Sequence, residues 1–73
     1  MTISEIREQL LTRDEEFQRL VDEHTRYANQ LQQLSRDPFH SAEDLLLESE
    51  LKKLKLRLKD EMERRIAEYK QAS

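Results

Sequence analysis

The sequence has no glycine and a single proline, Pro38. Tight turns draw on glycine for backbone angles that other residues resist, so a chain without it is restricted to few elements. Periodicity says what those elements are. Counting in sevens from Ile3 gives Ile3, Leu10, Phe17, His24 and Leu31; counting in sevens from Ile6 gives Ile6, Arg13, Leu20, Tyr27 and Leu34. Two interleaved apolar ladders of this kind predict one long helix packed along a seam, with Arg13 and His24 as its polar exceptions. Thr2 with Glu5 three residues later fits a capping box at its start.

The pattern stops at "SRDPFHS" (35–41). Pro38 disfavours helical geometry at Asp37 and has no N–H to donate. Ser41 can cap a second helix, with Asp44 in the reciprocal position. Beyond it Leu47, Leu51, Leu54, Leu58, Met62, Ile66 and Tyr69 fall on one arc. Leu45, Leu56 and Ala67 recur every eleven residues as a thinner apolar strip beside it. The expectation is an all-α single domain over 1–73, folded as an antiparallel, coiled-coil-like two-helix hairpin. The first helix covers about 3–35, the turn about 36–41 and the second helix about 42–71. From the turn outward, Leu34 is expected near Leu45, Tyr27 near Leu51, Leu20 near Leu58, Phe17 near Met62 and Leu10 near Tyr69.

Composition narrows function more than it names it. Lys and Arg number 13 against 16 Asp and Glu, a net charge of −3, so no global field draws the chain to nucleic acid. The stretch "ELKKLKLRLKDEM" (50–62) is locally basic. On a helix its cations divide between two flanks, each bracketed by acids, and Glu48–Lys52, Asp60–Arg64 and Glu61–Arg65 are i,i+4 pairs in the favourable order. A solvated face laced with ion pairs is the preferred reading. Contact of Lys52, Lys55 and Lys59 with nucleic acid is the alternative. Cysteine is absent, which excludes disulfides and thiol chemistry. With no cysteine and no pair of histidines three or four residues apart, no metal or cofactor is expected. The start, "MTISEIREQLL", has no basic region followed by an apolar one, and no apolar run reaches spanning length. A cytoplasmic protein without membrane contact is expected.

His24 on the seam reads either as a ligand or proton switch, or as a polar residue that fixes register and partner choice; the second is preferred. Arg13 reads as a snorkelling or solvated seam residue. Phe39 can staple back near Leu45 or stand exposed to a partner. No catalytic constellation is present, and a hairpin has no concave site of its own. Leu45 and Leu56 lie off the main seam with no third helix in this reading to cover them. The expected behaviour is that of a non-enzymatic interaction module forming a homo-oligomeric helical bundle, with a further protein partner open.

Two stretches carry a family resemblance. "EFQRLVDEHTRYANQLQQL" (16–34) and "ELKKLKLRLKDEM" (50–62) resemble the YdcH-like family of small bacterial proteins. The matching residues are Phe17, Leu20 and His24, then Leu51, Lys52, Lys53, Lys55, Leu56, Leu58, Lys59, Asp60 and Glu61. Tyr27 and the "RDPFHS" connection look like variants within it. The resemblance implies a bacterial source and a helical hairpin or coiled coil. It implies no biochemical activity and assigns no role to His24 or to the Lys59–Asp60–Glu61 end of the basic stretch.

Overall fold

The structure, a computed structural model, describes residues 1–37 and 40–72. These form three helices: α1 (Ile3–Arg13), α2 (Glu15–Arg36) and α3 (Ala42–Ala72). The chain is all-helical, as its periodicity predicts. Both expected cap signals are present. Thr2 and Glu5 bond reciprocally at the start of α1. At the start of α3, the Asp44 N–H donates to Ser41 Oγ (3.1 Å) and the Ser41 N–H to Asp44 Oδ2 (3.4 Å). The readings of Pro38 and Phe39, including the staple on Leu45, lie outside the described residues.

The continuous first helix over 3–35 is corrected. It breaks at Asp14, whose backbone is extended (φ −111°, ψ 105°). Asp14 closes one helix and opens the next. Its N–H donates to the Leu10 carbonyl (2.8 Å), and its Oδ1 accepts from the Glu16 and Phe17 N–H groups (2.9 and 3.1 Å). The Gln18 side chain donates to the Leu11 carbonyl, which the break leaves without an intrahelical partner. Glu15 and Glu16 then sit in the first turn of α2, where the helix dipole favours acids.

The break turns α1 out of line with α2 and lets it pack against both other helices. Ile6 and Leu10 of α1, Phe17 and Leu20 of α2, and Met62 and Ile66 of α3 form one buried cluster. Val21, Leu58 and Tyr69 pack against it, so Leu10, Phe17, Leu20, Leu58, Met62 and Tyr69, six residues of the expected ladder, belong to one core or its edge. An ion pair links α3 to the break between α1 and α2: Arg65 Nη1 donates to Asp14 Oδ2 at 2.7 Å.

Toward the turn only α2 and α3 remain, and Leu51 is the one further buried side chain among the described residues. Leu34 lies across from Leu47 and Leu51 along an open groove. Its expected neighbour Leu45 is turned out and 57% exposed. Leu45 lies two residues from Leu47, about 200° round the helix, so the two cannot share a face.

Candidate interaction surface

One stripe of α3 organises the exposed chemistry. Glu48, Lys52, Lys55, Leu56, Lys59, Glu63, Ile66, Ala67 and Lys70 follow one another at steps of one, three or four residues, and so share a side of the helix. On its C-terminal part the stripe faces Ile3 and Arg7 of α1 across a shallow pocket that includes Glu63, Ile66, Ala67 and Lys70. On its N-terminal part it faces α2 alone. An open groove of about 560 Å³ runs there, floored by Ala28, Leu31 and Leu56 and rimmed by Lys52, Lys55 and Lys59. The third helix therefore covers half of this side and leaves the other half open.

The charges on the stripe are less compensated than helical spacing predicts. Of the three expected i,i+4 pairs, Glu48–Lys52 forms (2.8 Å). Arg65 leaves Glu61 for Asp14. The Lys52 ammonium, and more weakly His40, hold the Glu48 carboxyl below its ordinary range. His40 Nδ1 stands 3.9 Å from Glu48 Oε2. Lys55 and Lys59 enter no ion pair among the described residues.

His24 is half-buried rather than enclosed in the seam. Burial pushes its imidazole toward the neutral form, and Lys55, Arg7 and Lys59 push it further. Four cationic or basic groups from three helices thus converge here. Arg7 was not among the residues singled out from sequence; it arrives because α1 turns at Asp14. The available signal was Asp14-Glu15-Glu16, an N-cap residue followed by two first-turn acids.

Arg13, the other polar seam position, is exposed at the last residue of α1. On the outer side of α2, Arg19 pairs with Glu16 and, at 2.7 Å, with Glu23. Those bonds hold the Glu16 carboxyl low and the Arg19 guanidinium more firmly charged. The Tyr27 ring carries the Arg26 guanidinium 5.4 Å from its centroid.

Large apolar side chains stand in water at both ends: Met1 (64%), Ile3 (63%) and Leu11 (38%) at the three-helix end, and a larger group on the two-helix end. Leu45 (57%), Leu46 (62%), Leu47 (45%) and Leu56 (57%) are large side chains left in water, with Leu54 at the margin. Phe39, proposed beside Leu45 and Leu56 as partner surface, lies outside the described residues. Among the described residues no three acidic or histidine side chains gather as metal ligands, and no helix is long and apolar enough to cross a membrane.

No curated protein and no solved structure matches the chain. A family model described as "Protein of unknown function (DUF465)" matches residues 17–66, which takes in most of α2 and α3 and begins after α1. That family is the YdcH-like family which the two quoted stretches resemble. With well over half its length inside the match, the chain belongs to the YdcH-like family of small proteins of unknown function.

Proposed function

We propose that this protein is a non-enzymatic helical module that works by self-association. The observation that carries the reading is the uneven core. The three-helix end encloses Ile6, Phe17 and Leu20 almost completely, while α3 leaves Leu45 and Leu56, which share one side of the helix, each 57% exposed. Fully burying a leucine is worth about 1.5–3 kcal/mol, so a second copy laid over the two-helix end recovers a substantial part of what one chain cannot bury. A chain of 73 residues with no cysteine has few other means of reinforcement. A four-helix contact around a two-fold axis is the simplest closed form.

The test is light scattering coupled to size-exclusion chromatography across a dilution series. A dimer or larger closed oligomer at micromolar concentration, converted to monomer by Leu45→Ser with Leu56→Ser, is the expected result. A fully helical monomer throughout the series contradicts it.

A second reading is accessory binding of nucleic acid by Lys52, Lys55 and Lys59. The convergence of Arg7, Lys55 and Lys59 on His24 favours it. Against it, Lys52 is engaged by Glu48, and no aromatic ring lines the groove that these lysines rim. Filter binding to RNA and DNA at low and physiological salt separates the readings. Submicromolar binding at physiological salt that is lost on changing the three lysines to glutamate puts nucleic acid first.

A further inference from the structure

The chain supplies Arg7, Lys55 and Lys59 with almost no acid. Arg7 and Lys55 have none three or four residues away on their own helices, and Lys59 has Glu63 alone, in the less favourable order. Other cations are answered: Arg19 holds Glu16 and Glu23, Lys52 holds Glu48, and Arg65 holds Asp14. Arg7, Lys55 and Lys59 enter no ion pair among the described residues. They belong to different helices, α1 and α3, yet all act on His24 of α2, and no acid is among the groups that do. One turn away on its own helix, His24 has Leu20, Val21, Tyr27 and Ala28. In a chain of net charge −3, these cations gathered around one half-buried imidazole form a compact positive site.

We propose that Arg7, His24, Lys55 and Lys59 bind a small multivalent oxyanion of the phosphate type, where α1 meets the α2–α3 groove. Arg7 offers a planar fork for two oxygens, and the lysines act as point charges. Lys55 and Lys59 stand one turn apart, about 6 Å along α3, which suits one or two phosphate groups. In the free protein, burial and then Lys55, Arg7 and Lys59 hold His24 toward its neutral form. A bound anion reverses the sign of those surroundings, so the imidazole takes up a proton and becomes a further donor. Arg7 reaches the site because the chain turns at Asp14, so the anion also ties α1 to α3.

The neighbouring acids favour a small anion over a nucleic-acid strand. Glu48 lies on the groove toward the start of α3, and Glu63 lies one turn beyond Lys59, in the shallow pocket that includes Arg7. A strand laid along α3 meets an acid at either end, whereas a compact anion fits between them.

The two histidines make the test internal. Proton NMR follows His24 and His40 against pH with trimetaphosphate, whose charge is constant over this range, and with sodium chloride at equal ionic strength, since salt alone screens the cations. Millimolar trimetaphosphate is expected to move the His24 titration to higher pH than salt does, and to leave His40, beside Glu48, nearly unmoved. By linkage the anion is expected to bind about fivefold or more tightly at pH 5.5 than at pH 7.5. Arg7→Gln, and separately Lys55→Gln with Lys59→Gln, are expected to remove most of the shift. Lys53→Gln, on the opposite flank, keeps it. Circular dichroism checks that each variant stays helical.

The readout is an imidazole and not an oligomeric state, so the result is independent of self-association. Equal shifts in salt and trimetaphosphate, equal responses from the two histidines, or a full response in Arg7→Gln each overturn the site. A response to a single-stranded oligonucleotide at equal phosphate concentration, with none to trimetaphosphate, overturns the small ligand and puts nucleic acid in its place.

Discussion

His24 and Asp14 are residues whose chemistry reaches beyond their own helix. His24 faces Arg7 from α1 and Lys55 and Lys59 from α3, and its imidazole is less basic than the ordinary value of 6.5. The sign follows from proton uptake: as pH falls through about 6.5 the unfolded chain takes the proton before the folded one does, so the unfolded state gains. The stability tied to this group is present above pH 6.5 and is lost as pH falls toward the depressed folded value. His24→Leu is therefore expected to leave the fold intact and to flatten the loss of stability between pH 7 and 5.5, read by urea denaturation at several pH values. A mutant that unfolds outright points instead to a structural bond from the imidazole. Asp14 joins three helices by capping α2 and receiving Arg65. Asp14→Ala is expected to cost about 1–2 kcal/mol, combining a lost cap with a lost, partly exposed ion pair. Asp14→Asn keeps the cap and is expected to cost less than half as much. Equal losses for the two substitutions contradict the capping role.

At the scale of elements, heptads carry the helical class and much of the pairing. They place Phe17, Leu20, Met62 and Ile66 on facing seams, and these four are buried together. They also hide the break at Asp14. Ile6 and Leu10 continue the α2 ladders in sequence, so their periodicity fits a straight extension of the hairpin as well as a helix folded onto it. Only local chemistry, the cap residue followed by two acids, marks the boundary. This is why the third helix, and with it Arg7 beside His24, was not legible from spacing. The same limit applies to Arg65: spacing shows that Glu61 can reach it, but not that Asp14 reaches it from outside α3. The α2–α3 register admits a direct check. Counting toward the turn from the Asp14–Arg65 ion pair brings Tyr27 opposite Leu51. Cysteines at these two positions are expected to cross-link within one chain at high dilution. Cross-linking only between chains contradicts the intramolecular hairpin and favours a swapped pair.

For the whole molecule, the 49 Å long axis joins two ends of unequal construction. One end has three helices around Ile6, Phe17 and Leu20; the other has two helices, Leu51, and a row of exposed leucines. Segments with few buried apolar contacts open locally at low free energy, so the two-helix end of an isolated chain is expected to exchange its amide hydrogens faster. Association couples that end to protein concentration by mass action. The most direct measurement is residue-resolved hydrogen exchange at concentrations spanning the dimer transition. Amides from Leu45 to Leu56 are expected to slow markedly as concentration rises, while those from Met62 to Tyr69, already within the three-helix core, stay nearly unchanged. Exchange from Leu45 to Leu56 that is the same at every concentration contradicts the claim that a second copy completes the fold.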